Sequence, residues 1–164
     1  MTLAQRMTFG RRMITLGRMV EEFHHGDCVG ADEMACDIVA ALYRDEVTVV
    51  CHPPELDDYR AYTDYDKAWD EKPYLERNRD IVDECDLLVA APQSMEVRKG
   101  GTWYTINYAS EEGKPIQIIH PSGELERAGD WSRYDPIYEP EASRARFSQV
   151  LNVAADPDGE SALR

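Results

Sequence analysis

The feature that most constrains this chain is the alternation of short apolar runs with amphipathic stretches of about ten to fifteen residues. The apolar runs lack a polar alternation, which is typical of strands covered on both faces of a parallel sheet. The apolar runs lie at residues 47–51, 86–91 and 115–119, and the short run at residues 22–25, before a glycine turn, is also predicted to be a strand. The amphipathic stretches between them predict helices. We therefore expect an α/β fold, a Rossmann-like three-layer domain with a mostly parallel sheet and helices on both faces.

The chain opens with the signals of a helix. Thr2 and Gln5 have the spacing of a capping box, in which each side chain satisfies a backbone N–H group of the other residue. Apolar residues then recur at intervals of three and four from Phe9 through Val20 to Phe23. This pattern predicts one buried helical face, so the first element is expected to be an amphipathic helix.

Helix starts are also marked further along the chain. Asp32 offers a side-chain oxygen as the N-cap of a helix over residues 33–44, whose apolar residues are spaced by four. Pro73 suits the first turn of the next helix, and another is predicted from Gly100 to Gly113. The predicted order is therefore a helix followed by a strand, repeated four times.

The chain is predicted to have one main domain and a C-terminal extension. Its 164 residues, 43% of them hydrophobic, suit a single core, which we place at residues 1–121. Residues 122–153 are expected to form an extension with one docking helix, and residues 154–164 a flexible tail. The amphipathic stretch that predicts this helix runs through Phe147, Val150 and Leu151.

The charge of the chain restricts its partners. It has 18 Lys and Arg against 32 Asp and Glu, a net charge of −14, which repels polyanions. An extended nucleic-acid interface is therefore not expected, because such affinity depends on basic side chains that displace counterions. A small phosphorylated ligand is still compatible with this charge, since backbone N–H groups at a helix N-terminus can hold its phosphate.

The cysteines indicate a reducing compartment. They show no Cys-x-x-Cys pair, and each lies in or beside an apolar run, so we interpret them as reduced thiols and expect a cytoplasmic location. No export signal and no membrane-spanning run is visible. The four cysteines are Cys28, Cys36, Cys51 and Cys85.

Three segments are expected to meet at the carboxyl ends of the strands, where open α/β sheets bind ligands. Two are glycine turns, at residues 25–32 and 98–105, whose backbone can approach a ligand closely. The third carries Arg77 and Arg79, either of which could supply a planar cation for an anionic group. The candidate ligand-binding residues are Gly26, Asp27, Val29, Gly30, Asp32, Arg77, Asn78, Arg79, Pro92, Gly100, Gly101, Thr102 and Thr105.

Four motifs occur in a fixed order along the chain. They are Gly-Asp-Cys-Val-Gly-Ala-Asp (26–32), Tyr-Leu-Glu-Arg-Asn-Arg (74–79), Asp-Leu-Leu-Val-Ala-Ala-Pro (86–92) and Gly-Gly-Thr-Trp-Tyr-Thr-Ile-Asn-Tyr-Ala (100–109). In this order they resemble the SLOG superfamily, which joins DNA-processing protein A with the lonely-guy proteins. The resemblance implies a Rossmann-like fold that binds nucleotides or their derivatives.

The chain departs from the SLOG pattern in two places. Members usually begin with a strand and a Gly/Thr-rich turn ahead of the segment that matches residues 1–5, and here that strand is missing. Either the start lies upstream, or a partner chain or the C-terminal segment must cover the gap. Lonely-guy phosphoribohydrolases also carry a carboxylate shortly after their glycine turn, where this chain has Tyr104 to Asn107. No catalytic residue is therefore assigned, although Glu96 or an acid of residues 55–72 could substitute.

Three functions are compatible with this sequence. The first is a sensor or sequestering domain for a nucleotide or nucleotide-derived small molecule. The second is an N-glycoside hydrolase acting on a nucleoside monophosphate, and the third is a nucleic-acid or protein interaction module like DNA-processing protein A. The expected partners are a small nucleotide ligand and, through an exposed sheet edge, further copies of the chain. No cofactor is predicted.

Other groups of residues carry weaker alternatives. His24 and His25 with Asp27 and Cys28 could be drawn as a metal site, but adjacent residues of a strand point to opposite faces, so no metal is predicted. We expect one histidine to be packed and the other to lie near the mouth of the site. Cys28 at a helix start could be a nucleophile, although a buried inert thiol is the commoner case. The acidic, aromatic loop at residues 55–72 is either a lid that stacks on a base or a solvated excursion.

Overall fold

The computed structural model describes residues 1–43, 46–131 and 149–153. The described residues form four α-helices and seven strands. The helices are α1 (Leu3–Leu16), α2 (Ala31–Tyr43), α3 (Tyr74–Glu84) and α4 (Gly101–Glu111). The strands are β1 (Glu22–His25), β2 (Thr48–Cys51), β3 (Lys67–Ala68), β4 (Leu87–Ala90), β5 (Ile116–Ile119), β6 (Leu125–Ala128) and β7 (Gln149–Val153). None of the described helices combines the length and the apolar character needed to cross a bilayer.

All seven strands belong to one sheet, in the order β3-β2-β1-β7-β4-β5-β6. Every neighbouring pair is parallel except β5 and β6, which are antiparallel. This mostly parallel sheet confirms the expected fold class. The parallel strands therefore share one carboxyl edge, which is where a ligand site is expected in such a sheet.

Helices cover both faces of the sheet, as predicted. Strand β4 shows why, because its four residues are fully buried and alternate residues point to opposite faces. Leu87 and Val89 join an apolar cluster with residues of α1 and α2, whereas Leu88 and Ala90 join a second cluster with residues of α3 and α4. The three layers follow from this two-sided burial.

The first helix begins as predicted and ends earlier than its apolar pattern indicated. The capping box is present, since Gln5 N–H donates to Thr2 Oγ1 and Thr2 N–H donates to Gln5 Oε1. The helix stops at Leu16 because Gly17 takes a left-handed φ of 52°. The prediction that the helical face continues through Val20 and Phe23 is therefore wrong, and Phe23 lies in β1.

The C-terminal segment forms a strand where a docking helix was predicted. Val150 and Leu151 lie in β7, which pairs in parallel with β1 on one side and β4 on the other. A strand in this position satisfies the backbone groups of both neighbours, which a docked helix cannot do. Phe147 and residues 154–164 lie outside the described residues.

Strand β7 lies in the middle of the sheet, between β1 and β4. Helix α1 begins at the carboxyl edge of the sheet, where Gln5 Nε2 donates at 2.9 Å each to the carbonyl oxygens of Pro92, after β4, and Ile119, at the end of β5. A central strand of the sheet therefore comes from the C-terminal part of the sequence.

Candidate functional site

The first glycine turn and α3 meet at Arg77. Its side chain is buried, with the residue only 3% exposed, and Nη2 donates to Cys28 Sγ at 3.2 Å. A Cβ atom added at Gly26 would lie 1.4 Å from Arg77 Nη1, so the guanidinium lies directly against the backbone of the turn. Only a residue without a side chain leaves room for it, which explains the glycine after β1. Arg77 Nε has no hydrogen-bond partner among the described residues.

Tyr74 joins Arg77 to the second glycine turn. The Arg77 guanidinium carbon lies 4.6 Å from the centre of the Tyr74 ring, a cation–π arrangement. The same ring packs on Gly101 so closely that an added Cβ there would lie 2.5 Å from Tyr74 Cε1. We call Gly26, Cys28, Asp32, Tyr74, Arg77 and Gly101 the Arg77 cluster. Tyr74 was not among the candidate residues, although its place one turn before Arg77 on the same helix was a usable signal.

Asp32 completes the cluster from α2. It is buried in the first turn of the helix, where its Oδ2 accepts from the backbone N–H groups of Gly26 and Cys28 at 3.1 Å each. The predicted N-cap role is therefore wrong, because Asp32 holds the preceding turn instead. Its Oδ1 has no partner among the described residues. Burial raises the pKa of Asp32 from 3.8 to about 6, although the charge of Arg77 opposes this shift.

Asp27 holds a second segment over the first glycine turn. Its carboxylate is buried and accepts from Arg60 Nε at 2.9 Å and from Thr63, through N–H at 2.9 Å and Oγ1 at 2.8 Å. Backbone hydrogen bonds from Val29 N–H to the Tyr59 carbonyl and from Ala61 N–H to the Asp27 carbonyl join the same two segments, the first glycine turn and the loop at residues 55–72. Asp27 thus fixes the loop at residues 55–72 to the first glycine turn, an arrangement that we call the Asp27 latch. The spacing of these residues in the sequence gave no sign of it. The side chain of Val29, a further candidate in this turn, is half exposed.

The histidines do not assemble the metal site drawn from the sequence. His24 Nδ1 lies 2.9 Å from His52 Nε2, whereas His25 accepts from Asp27 N–H through Nδ1 at 3.1 Å. Both His24 and His25 are buried, so the expectation that one lies near the mouth is wrong. His25, Asp27 and Cys51 bring ligand atoms within 4.8 Å of one another; protein donors bind Asp27 and His25 Nδ1, whereas His25 Nε2 has no partner among the described residues.

Three of the candidate ligand-binding residues connect α3 to α4 and do not belong to the Arg77 cluster. Asn78 Nδ2 donates to Thr105 Oγ1 at 2.9 Å, and Thr105 Oγ1 donates to the Gly101 carbonyl at 2.9 Å. Arg79 is exposed, and its Nε donates to the hydroxyl of Tyr104 at 2.5 Å. Of the two arginines considered as a cation for the ligand, the fold therefore brings only Arg77 to the glycine turns.

The start of α4 presents backbone N–H groups to the same edge. Gly100 is its N-cap with φ of 86°, and a glycine has no side chain with which to cap the helix. By contrast, the start of α1 is capped by its own side chains.

The remaining candidate residues lie in three different places. Thr102 is buried in the first turn of α4, and the Pro92 carbonyl accepts a hydrogen bond from Gln5. Gly30 has φ of 104°, which lets the first turn enter α2.

A groove also exists at the opposite edge of the sheet. It has a volume of about 300 Å³ and is lined by Gly17, Val20, Glu21, Tyr43, Glu46 and Val47. These residues lie near the amino ends of β1 and β2, and none of them is a candidate from the sequence. Two of the described residues that line it, Glu21 and Glu46, are acidic.

Comparison with known proteins supports the fold. No family model and no curated protein matches the sequence. A crystal structure from Syntrophus aciditrophicus SB, named "Putative molybdenum carrier protein", is similar to this chain with a TM-score of 0.55 and 20% sequence identity. The match covers 84% of this chain and 83% of the Syntrophus protein. It shows a distant relationship at the level of the α/β fold.

Proposed function

We propose that this domain binds a nucleotide or nucleotide-derived small molecule at the carboxyl edge of its sheet, as a sensor or sequestering domain. One observation carries the proposal: Arg77 is a buried cation whose Nε has no partner among the described residues, held against the first glycine turn and stacked on Tyr74, which packs on the second. A buried guanidinium has five donors, and leaving them unmatched costs free energy. An anionic group of a ligand is the partner that would match both its charge and its geometry.

The surroundings of Arg77 suit a phosphate-bearing ligand. The start of α4, whose N-cap is a glycine, offers backbone N–H groups and the positive end of a helix dipole, which favour an anion. The net charge of −14 does not by itself prevent such local recognition. The SLOG resemblance supports a nucleotide class of ligand. The name of the Syntrophus protein supports a small-molecule carrier, so a molybdenum oxyanion belongs among the ligands to test.

The proposal is tested by thermal unfolding with a panel of ligands. Adenosine monophosphate, ADP-ribose, cyclic AMP, molybdate and inorganic phosphate are added to the wild type, to Arg77→Met and to Arg79→Met. A true ligand at a hundredfold excess over its Kd stabilises the folded state by about 2.7 kcal/mol. The shift is expected in the wild type and in Arg79→Met, which removes an exposed arginine two residues away, and not in Arg77→Met.

Two results would contradict the proposal. One is the absence of any shift in the wild type across the whole panel. The other is a shift that persists in Arg77→Met, with circular dichroism showing that the variant is folded. Because Arg77 is buried, Arg77→Lys is measured as well; it keeps the charge, so it is expected to bind more weakly than the wild type and more tightly than Arg77→Met.

A second candidate function is hydrolysis of a nucleoside monophosphate, and Asp32 is the observation that favours it. A carboxyl group with a pKa of about 6 can act as a general acid near neutral pH. The segment after Gly101 holds no carboxylate up to Asn107, and Asp32 is the acid that belongs to the Arg77 cluster. Release of free base that is lost in Asp32→Asn would support this function, whereas binding without release supports the sensor.

A further inference from the structure

Helix α1 has two apolar faces, and only one of them is used by the core. Phe9, Met13 and Leu16 are buried against the sheet. The spacing of Leu3, Met7 and Ile14 places these three on one line along the other side of the helix. There they are 74%, 50% and 65% exposed. Single exposed apolar residues are ordinary, but a continuous stripe on a packed helix calls for a partner.

The charge around this stripe is opposite to that of the rest of the protein. Helix α1 carries three arginines and no acidic residue, within a chain of net charge −14. Arg6 and Arg11 are exposed on either side of the stripe. Helix α1 is thus a basic and apolar surface on an otherwise acidic protein, which favours a partner that is acidic and apolar.

The neighbouring helix α2 has the complementary character. It packs beside α1, where Ile38 lies at ordinary contact distance from the position that a Cβ on Gly10 would take. Its exposed residues Glu33, Asp37 and Ala41 are spaced by four, so it presents two carboxylates and a small apolar side chain along one side. We call Leu3, Arg6, Met7, Arg11, Ile14, Glu33, Asp37 and Ala41 the α1–α2 face.

We propose that the α1–α2 face is a two-fold interface between two copies of this chain. A two-fold axis lays α1 of one copy against α2 of the other, so that the apolar stripe of each is covered. The same axis brings the arginines of α1 near the acidic side of α2 twice, which makes the face self-complementary. An anionic membrane or a nucleic acid would meet the acidic side of α2 together with the arginines.

The size of the face predicts a weak dimer. Helix α1 has 14 residues. With about 1.5 Å of rise per residue and about 10 Å of width for each helix, the face measures about 21 Å by about 20 Å. Stable interfaces bury about 800 Å² on each partner, and a face of about 420 Å² is only about half of that area, which is below the usual range of stable dimers. Association is therefore expected to depend on protein concentration.

Sedimentation velocity of the whole chain, from low to high micromolar concentration, tests the proposal. The wild type is expected to shift from monomer to dimer as concentration rises, and the double variant Met7→Asp/Ile14→Asp to stay monomeric. Leu56→Asp is the matched control, because Leu56 is 73% exposed and lies in the loop at residues 55–72. A wild type that stays monomeric, or a control that dissociates equally, overturns the proposal.

The charge pairing has a test of its own. Arg11→Glu is expected to weaken the dimer several-fold, and Asp37→Lys added to the same chain is expected to restore part of the loss. No weakening in Arg11→Glu, or a further weakening on adding Asp37→Lys, would contradict a pairing of α1 with α2. Both residues are exposed, so their effect on folding is expected to be small.

Two other occupants of the face give distinct results. If a segment of the same chain covered the stripe, Met7→Asp/Ile14→Asp would lower the unfolding free energy of a protein that is monomeric throughout. If an anionic lipid surface were the partner, a monomeric wild type would bind phosphatidylserine vesicles and lose this binding in Arg11→Glu. Either result overturns the dimer.

Discussion

Replacement of Gly26 by alanine is expected to destabilise the protein through Arg77. The new Cβ would lie 1.4 Å from Arg77 Nη1 and 2.6 Å from Cζ, so the guanidinium must leave its position. Overpacking of this kind costs about 1–3 kcal/mol. Loss of the desolvated cation–π contact with Tyr74 adds about 1–2 kcal/mol. We therefore expect the free energy of unfolding to fall by about 3 kcal/mol.

Urea denaturation followed by circular dichroism measures this change. With a slope of about 2 kcal/mol per molar urea, a loss of about 3 kcal/mol lowers the midpoint by about 1.5 M. Gly10→Ala is the matched control: its Cβ would meet Ile38 at 3.8 Å, an ordinary contact, within a helix. That substitution is expected to stabilise the protein by up to about 1 kcal/mol. A Gly26→Ala variant as stable as the wild type would refute the assigned position of Arg77.

Three further predictions concern other parts of the fold. Burial lowers the pKa of His25 to about 4 and of His52 to about 3, so both stay neutral in the folded protein while the unfolded chain takes up protons below about pH 6.5. Stability is therefore full above that pH and falls as the pH drops, by about 2 kcal/mol for each histidine near pH 5. Asp32, whose pKa is raised to about 6, acts in the opposite direction, since its contribution is present below 3.8 and lost as the pH rises. Urea midpoints near pH 7 and pH 5 measure the balance of these effects. A His52→Gln variant that loses as much stability between pH 7 and pH 5 as the wild type would contradict the role of His52. Asp27→Asn is expected to speed amide hydrogen exchange at residues 57–63 while exchange in β5 stays slow, because it weakens the acceptor of the Arg60 bond; uniform acceleration would contradict a local latch. Leu151→Pro is expected to cost about 3 kcal/mol or more, because a proline in a strand with neighbours on both sides removes a ladder bond; a urea midpoint equal to that of the wild type would show that β7 is misassigned.

The sequence was sufficient for the layers of the fold. Buried strands such as residues 87–90 are continuous apolar runs because helices cover both faces, and this pattern is local and readable. The position of residues 149–153 was not readable in this way. Whether a short apolar stretch becomes a strand or a helix depends on which backbone groups are available at the far end of the chain, and here those belong to β1 and β4.

The candidate site was predictable in outline and not in its contacts. Gly26 and Arg77 were both singled out, and the fold does bring them together. The sequence could not choose between Arg77 and Arg79, because two residues apart on a helix they point in nearly opposite directions and only tertiary packing decides which one turns inward. The latch formed by Asp27 was missed for a similar reason, since its partners lie more than thirty residues away.

The most direct test of the proposed function is to map by NMR which backbone amides a ligand perturbs. Heteronuclear NMR spectra are recorded while adenosine monophosphate and, separately, molybdate are titrated into the wild-type protein. We predict that the resonances of Gly26, Cys28 and Gly101 shift together and saturate. Shifts confined to Gly17 and Val47, at the groove on the opposite edge of the sheet, would contradict the account.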